Sequence, residues 1–230
     1  CISQRMAEVY EQAYGAEAIV LHPIRDPRHL VPDRPPERVG LRSGPPVAAF
    51  VGSIQGIGGI EALRDISFCL KEVNGRLMIF GSETSNVIEK ISDTGTTVEL
   101  LGFVEANEMK KIITERVDFL FLPSSFRSED GMKLSLPSKI ADYTAYGLPI
   151  LIYGPRDCAI VEWARFNAGV SEVVDEEGIG PLREGIARIL EDGRYRLNLG
   201  KKALEIGCRD FSHLSVSTKF LEAVSMFSKS

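Results

Sequence analysis

The chain has 230 residues, 44% of them hydrophobic, with a formal net charge of -5 at pH 7 and a sequence pI of about 5.4. This size allows one large core, or one domain with a fragment of another, and no apolar run is long enough to span a membrane. The acidic balance argues against a general nucleic-acid partner, which requires a basic field, so we expect none.

The first predicted element is a helix over residues 2–14, followed by a short strand over residues 18–21. In the helix, four apolar side chains fall on one stripe: Met6, Val9, Tyr10 and Ala13.

A proline-rich segment comes next, because seven of the twelve prolines fall between Pro23 and Pro46. This density excludes regular structure and indicates a linker. Five arginines make it locally basic, and a solvated connector accounts for them, with a segment that contacts phosphate as the alternative. These residues are Arg25, Arg28, Arg34, Arg38 and Arg42.

After Pro46, apolar runs of strand length alternate with segments of helix length. The runs cover residues 47–51, 77–80, 98–101, 119–122, 150–153 and 170–174. This alternation predicts an α/β fold, a Rossmann-like parallel sheet with helices on both faces. Three more helices are expected at roughly residues 181–192, 194–208 and 212–228. The last has an apolar stripe that we expect to pack in the core, or against another domain: Phe220, Leu221, Val224 and Phe227.

Ligands of open parallel sheets bind beyond the carboxyl ends of the strands, where each predicted turn opens with glycine or proline. The first turn, from Gly52 to Gly59, could cradle a phosphate with its backbone N–H groups. It contains Gly56-x-Gly58, but Glu61 stands at the third position of the dinucleotide fingerprint, so NAD binding is a weak alternative. The sequence contains no P-loop motif.

The most informative segment covers residues 136–149 and predicts a short helix. Pro137 suits the first helical turn, and Gly147 suits the position just after the helix. N–H groups beside Ser138 and Lys139 would be available to an anion such as phosphate. Asp142 lies one turn further on nearly the same face. The segment therefore predicts binding of a nucleoside diphosphate, with the carboxylate on ribose hydroxyls.

The cysteines and histidines do not indicate a metal site, because the four cysteines form no C-x-x-C pair and there are three histidines. We expect Cys69 to belong to the core and the compartment to be reducing. No metal or other cofactor is expected.

These motifs resemble the C-terminal half of a GT-B glycosyltransferase and are most similar to the retaining family-four group, the "glycosyl transferases group 1". The matching residues are Val51-Gly52-Ser53, Leu100-Leu101-Gly102-Phe103-Val104, Val117-Asp118-Phe119-Leu120-Phe121-Leu122-Pro123-Ser124, Pro137-Ser138-Lys139-Ile140-Ala141-Asp142-Tyr143 and Gly147-Leu148-Pro149. The resemblance implies three parts. Residues 1–22 are a remnant of the N-terminal acceptor domain, residues 23–46 a proline-rich linker, and residues 47–230 the nucleotide-sugar donor-binding domain.

The resemblance also implies a role for individual residues, although it assigns no catalytic one. The base would lie near Phe103 and Val104, the ribose on Asp142, the diphosphate on Gly52, Ser53, Ser138 and Lys139, and the transferred sugar near Ser124, Glu129 and Lys133.

Two positions depart from the family pattern. Leu134 stands where the first of two acids spaced eight positions apart is common, and Glu129 could replace that acid from a longer loop. Ser53 and Ile57 stand near the usual basic pair of the first turn, and Lys133 or Lys139 could supply the missing charge.

The implied function is transfer of a sugar from a nucleoside-diphosphate sugar to an unknown acceptor, in polysaccharide or glycoconjugate synthesis. The expected location is the cytoplasm, or the inner face of the membrane as a peripheral protein. Acceptor recognition would come from the N-terminal domain of the same protein, so we expect this chain alone to bind nucleotide weakly and to catalyse nothing. The alternatives are a GT-B epimerase or phosphorylase, and a degenerate non-catalytic partner or nucleotide-binding module.

Overall fold

The computed structural model describes residues 1–28, 30–41, 43–54, 56–81, 89, 91, 93–127 and 133–227. Within these residues, six strands form one sheet in which every neighbouring pair is parallel. The strands are β1 (Val47–Val51), β2 (Arg76–Phe80), β3 (Thr97–Gly102), β4 (Phe119–Pro123), β5 (Ile150–Tyr153) and β6 (Glu172–Val174). The predicted parallel sheet is confirmed, and each of the six strands predicted after Pro46 matches an observed one.

The helices of the described residues cover both faces of this sheet, as predicted. They are α1 (Gln4–Tyr14), α2 (Gly56–Glu72), α3 (Ala106–Arg116), α4 (Lys139–Tyr143), α5 (Ala159–Phe166), α6 (Ile179–Glu191), α7 (Gly193–Phe211) and α8 (His213–Phe227), with a 3₁₀ turn at Glu37–Val39. Helices α2 and α6 pack on the face that contains Phe50. Helices α3, α4, α5 and α7 pack on the opposite face, around Ala49 and Leu120.

The order of the strands across the sheet is β3-β2-β1-β4-β5-β6. The chain therefore moves outward in one direction after β1 and in the other direction after β4. The gap between the carboxyl ends of β1 and β4 is the topological switch point, where open α/β sheets bind their ligands. The turn that begins at Gly52 and the turn that begins at Ser124 border this gap.

Near the N-terminus the structure confirms one predicted element and contradicts another. Helix α1 is present and begins at Ser3, whose side chain accepts a hydrogen bond from the Met6 N–H. Its buried residue is Ala7, whereas Val9 and Tyr10 of the predicted stripe are exposed. Residues 18–21 do not form a strand. In its described contacts, Ala18 donates its N–H to the Glu11 carboxylate, and Ile19 and Leu21 hydrogen-bond with Cys1 alone, so the stretch gains no ladder of strand bonds.

The proline-rich segment is docked on the domain through Arg25 and Arg38, so the expectation of a solvated connector is wrong for these two arginines, whereas Arg28 and Arg34 are exposed as expected. Arg25 is only 3% exposed, and Val39 is buried. Arg38 donates hydrogen bonds to three carbonyl groups at the end of α3: those of Ile113, Thr114 and Val117. The last carbonyls of a helix lack intrahelical partners, so arginines from the segment satisfy groups that the helix leaves open.

The three C-terminal helices are present as predicted, but the apolar stripe of α8 is not in the core. Leu221 is 66% exposed, and Phe220 and Val224 are exposed as well. The buried residues of this helix are Val216 and Ala223. The core-packing expectation is therefore wrong for the three stripe residues whose side chains are described. No helix in the described part of the chain combines the length and apolar character needed to cross a bilayer.

Candidate functional site

The turns after β1, β2 and β3 form a continuous edge of backbone. Gly52 donates its N–H to the Phe80 carbonyl at 2.8 Å, and Gly81 donates its N–H to the Gly102 carbonyl at 2.9 Å. A Cβ atom on Gly81 would lie 2.5 Å from the Gly52 carbonyl oxygen, so the first two turns touch. The predicted ligand turns of Gly52 and Gly102 therefore belong to one surface.

Lys139 places its charge against the first of these turns. Its Nζ atom lies 4.2 Å from the ring centroid of Phe50, a distance at which a cation is attracted to an aromatic face. A Cβ atom built on Gly52 would lie 3.3 Å from the same Nζ. Gly52 also has φ +118°, a backbone conformation that favours glycine. The structure thus brings together two residues that were predicted to share a diphosphate.

The helix that carries Lys139 is shorter than the sequence predicts. The α-helix covers Lys139–Tyr143, and the chain continues in turns to Gly147, which has φ +66°. Ile140 donates its N–H to the Pro137 carbonyl, and Ala141 donates its N–H to the Ser138 carbonyl. A helix of five residues carries a small dipole, because the dipole sums over aligned peptide units. Positive charge at this edge therefore comes mainly from the Lys139 side chain.

The remaining predicted diphosphate residues, Ser53 and Ser138, are the chain neighbours of Gly52 and Lys139. Ser53 follows Gly52 and is exposed, and Ser138 precedes Lys139 and is exposed as well. Both serines are therefore exposed residues next to the glycine and the lysine that the structure brings together.

Asp142 is half-buried, and the neighbouring Tyr143 is completely buried. The Tyr143 hydroxyl accepts a hydrogen bond from the Val51 N–H at 2.8 Å and donates one to the Phe121 carbonyl at 3.3 Å. Burial raises the pKa of Tyr143, which keeps the hydroxyl protonated. Strand pairing between β1 and β4 is confined to residues 48–49 and 119–120, so this hydroxyl bridges the two strands where they separate. Tyr143 therefore has a packing role and is not exposed to a ligand.

The predicted base site lies at the far end of the glycine edge. Phe103 is 85% exposed and follows Gly102, whereas Val104 packs partly against the core. Strand β3 is separated from β1 by β2, so the turn at Gly102 lies two strand spacings, about 10 Å in total, from the turn at Gly52. An exposed aromatic ring at this position is available for stacking.

The predicted sugar site has two described residues, because Glu129 lies outside the described part of the chain. Ser124 donates its N–H to the Tyr153 carbonyl at 2.7 Å and lies at the switch point. Lys133 forms an ion pair with Asp157 at 3.0 Å. The hydrogen bond from Lys133 holds the pKa of Asp157 below its usual range. The charge of Lys133 is therefore already partnered.

Other residues singled out in the sequence have structural partners. Arg156, just after the turn that follows β5, pairs with Asp175 and Glu176. The Leu134 carbonyl accepts a hydrogen bond from the Ser3 hydroxyl at 2.5 Å. The Trp163 ring is buried, and Cys69 is buried in α2 as expected, where desolvation raises the pKa of its thiol to about 12.

Two contacts at this site could not be inferred from the sequence. One is the Tyr143 bridge described above, and the other is made by Arg25, which donates from Nε to the Ala141 carbonyl at 2.7 Å. Five arginines occur in the proline-rich segment, and neither composition nor spacing distinguishes the buried one.

No protein-family model and no curated protein sequence matches the chain. Solved structures match its fold. HepE from Anabaena, solved in complex with UDP, has a TM-score of 0.73 and 17% identity, over 98% of this chain and 63% of HepE. A glycosyltransferase from Rickettsia africae has a TM-score of 0.71 and 15% identity, over 96% of this chain and 61% of its own.

A weaker match is a Listeria monocytogenes protein provisionally assigned as a UDP-N-acetylglucosamine 2-epimerase. Its TM-score is 0.53 with 11% identity, over 99% of this chain and 52% of its own. The chain spans less than two thirds of each of these three proteins. At such identities the likeness shows the fold, and it confirms the expected Rossmann-like half of a GT-B architecture. Membership of family four stays a prediction.

Proposed function

We propose that this chain binds a nucleoside-diphosphate sugar at the switch point between β1 and β4, as the donor-binding half of a glycosyltransferase. The observation that carries this proposal is the position of Lys139, whose Nζ lies beside Gly52 and over the Phe50 ring. A lysine ammonium against a glycine turn offers a point charge and close backbone approach, which suits a diphosphate. Asp142 lies on the same short helix, from which it would accept hydrogen bonds from ribose hydroxyls.

The mechanism follows from the charge that develops in the reaction. As the glycosidic bond breaks, negative charge builds up on the leaving nucleoside diphosphate. Groups that hold this charge more strongly in the transition state than in the ground state lower the barrier. In our proposal these groups are the Lys139 ammonium and the backbone N–H groups of Ser53 and Ser138, while Gly52, whose own N–H is bonded to Phe80, lets the diphosphate approach the turn closely. The nucleotide sugar is the substrate, and we assign no cofactor and no catalytic residue.

The remaining contacts follow the order of the turns along the edge. We assign the base to Phe103 and Val104, because the exposed Phe103 ring is available for stacking. The sugar would face Ser124 at the switch point, with Glu129 as a further candidate. Lys133 is a weaker candidate for the sugar, since a sugar hydroxyl would compete with its ion pair to Asp157.

The comparisons support uridine nucleotides as the first probes, because HepE has been solved with UDP and with UDP-glucose. We further propose that residues 1–22 belong to an acceptor domain, that residues 23–46 join it to the donor-binding residues 47–230, and that this other domain supplies the acceptor site. The acceptor would belong to polysaccharide or glycoconjugate synthesis, in the cytoplasm or at the inner face of its membrane.

Two other functions have an observation in their favour. The Listeria protein makes a GT-B epimerase the second candidate, which would need acids near the sugar. Leu134 at the position of the missing first acid favours a degenerate, non-catalytic nucleotide-binding partner. Transfer or epimerisation of a sugar by the full-length protein would separate these functions from one another.

Calorimetry with UDP, GDP and ADP tests the proposed binding. We expect UDP to bind with a Kd in the micromolar range. Lys139→Ala and Asp142→Ala should each weaken binding about tenfold, the equivalent of about 1.4 kcal/mol. Lys202→Ala is the matched control, because Lys202 lies on α7 and pairs with Glu205 away from the switch point. Absence of nucleotide binding by the wild-type chain, or equal affinity of the Lys139 variant, would contradict the proposal.

A further inference from the structure

Arg25 is a buried cation that joins the proline-rich segment to the short helix of the proposed site. Its guanidinium donates from Nε to the Ala141 carbonyl at 2.7 Å and from Nη2 to the Thr144 hydroxyl at 2.9 Å. Its backbone N–H donates to the Phe211 carbonyl at 2.9 Å. One residue therefore ties residues 23–28 both to α4 and to the end of α7.

The surroundings of Arg25 include a functional candidate. Burial lowers the pKa of Arg25, and the side chains of Cys208, Asp142 and Tyr146 act in the opposite direction. Asp142 is thus close enough for its carboxylate to interact electrostatically with the guanidinium. The residue whose carbonyl Arg25 binds, Ala141, immediately precedes Asp142 in the chain.

Helix α4 depends on such contacts for its position. It has five residues, and Ser138 before it makes no capping hydrogen bond with its side chain. A single turn of helix is unstable alone, because few hydrogen bonds offset the entropy lost in ordering the chain. Described contacts hold it on two sides: the Tyr143 hydroxyl binds β1 and β4, and Arg25 binds the Ala141 carbonyl and Thr144.

We propose that Arg25 is a positioning residue for the nucleotide site, and that nucleotide binding and the docking of residues 23–28 stabilise each other through it. This inference rests on the proposed function. A ligand held by Lys139 and Asp142 orders α4, and an ordered α4 presents the Ala141 carbonyl and Thr144 hydroxyl to Arg25. Coupling between two binding events is reciprocal, so docking of the segment must strengthen nucleotide binding to the same degree. The segment that precedes β1 therefore senses whether the site is occupied.

Arg196 offers a matched control for a purely structural role. It is 4% exposed, close to the value for Arg25, and it also donates to main-chain carbonyls: those of Val39, Ile189 and Leu190. These contacts lie at the end of α6 and beside the 3₁₀ turn, with no contact to α4 among them. Replacing either arginine by lysine keeps the charge and removes the planar fork of donors.

The test compares Arg25→Lys with Arg196→Lys in melting temperature, in UDP affinity by calorimetry, and in amide hydrogen exchange of residues 23–28 with and without UDP. Binding is measured well below the lower melting temperature. We expect both variants to be less stable, but only Arg25→Lys to bind UDP about fivefold or more weakly, a coupling typical of positioning contacts. UDP should slow exchange of residues 23–28 in the wild type and in Arg196→Lys, and this protection should shrink in Arg25→Lys.

Thr144→Val removes one acceptor of the guanidinium without changing a charge, and it carries the test if Arg25→Lys does not fold. It should weaken UDP binding in the same direction, by a smaller factor. Two results overturn this inference alone, provided that the wild type binds UDP. One is an unchanged UDP affinity in the Arg25 or Thr144 variant. The other is that UDP does not change hydrogen exchange of residues 23–28. A wild-type chain that binds no nucleotide refutes the proposed function and this inference together.

Discussion

The hydroxyl group of Tyr143 accepts a hydrogen bond from the backbone N–H of Val51 at 2.8 Å. Val51 immediately precedes Gly52 on β1, and Tyr143 immediately follows Asp142 on α4. One buried hydroxyl therefore sets the spacing between the turn and the helix that together carry the proposed diphosphate and ribose contacts.

Replacing Tyr143 with phenylalanine should weaken both the fold and the site. The substitution leaves the Val51 N–H and the Phe121 carbonyl without this partner, and a buried group left unsatisfied costs about 1–3 kcal/mol. We expect a lower melting temperature and, because α4 is no longer fixed to β1, weaker UDP binding by calorimetry.

Tyr153→Phe is the control for this loss. The Tyr153 hydroxyl bonds to Asp65 at 3.0 Å and to the Gly178 N–H at 2.8 Å, on the face of α2 and α6. It should lower the melting temperature and leave UDP affinity unchanged. Equal loss of affinity in both variants would show that the effect is general destabilisation.

Gly52→Ala should disrupt the site through both backbone strain and the position of Lys139. At φ +118° an alanine is strained by about 1–3 kcal/mol, and its Cβ would lie 3.3 Å from the Lys139 Nζ. Gly178→Ala is matched in strain, with φ +124°, but its Cβ would meet nothing within 4 Å. We expect similar destabilisation of the two variants in urea unfolding, with UDP binding reduced in Gly52→Ala only. Unaltered UDP binding by Gly52→Ala would remove this turn from the site.

If Lys139 binds the diphosphate, the affinity of the chain should depend on the number of phosphates on the ligand. Wild-type chain should bind UDP more tightly than UMP, since an ammonium against a diphosphate gains more than one against a single phosphate at greater distance. Lys139→Ala should reduce the ratio of the two affinities by several-fold, and Lys202→Ala should not. A ratio that is the same in wild type and Lys139→Ala would assign Lys139 to another role.

Acid unfolding should follow the ionisation of Asp210. Burial alone would raise the pKa of Asp210, but hydrogen bonds from Arg209 and from the Trp163 ring N–H lower it below its ordinary value. A carboxyl whose pKa is lower in the folded state stabilises the fold above its unfolded pKa of about 3.9, and this stability is lost as pH falls through the folded value.

The single tryptophan lies at this contact, so its fluorescence reports the transition. We expect unfolding free energy to decline below about pH 4. Asp210→Asn should be less stable at neutral pH and should show a smaller decline in acid. A variant with the same pH dependence as the wild type would point to other carboxyl groups.

Much of the sheet could be predicted because buried parallel strands are nearly continuous apolar runs. The run at residues 150–153 coincides with β5 for this reason. Residues 18–21 are equally apolar, but a strand also needs a partner ladder, and local sequence does not show one. The stripe of α8 failed similarly, since periodicity identifies an apolar face and not what covers it.

The meeting of Gly52 and Lys139 was predictable from topology, because the carboxyl ends of parallel strands share one edge. The contact between Arg25 and Ala141 was not, as it joins positions 116 residues apart through a main-chain oxygen. No side-chain pattern at the receiving position marks such a contact.

The use of main-chain oxygens as acceptors affects which residues of the protein tolerate substitution. Arg25 and Arg38 fasten the proline-rich segment to α4 and α3 mainly through backbone carbonyls, which every amino acid presents alike. The helices that receive these arginines can exchange their own side chains without loosening the segment. The arginines cannot be exchanged in the same way, because lysine lacks the forked donors. Mutational robustness is thus unequal across the interface: high on the two helices and low at the two arginine positions of the segment.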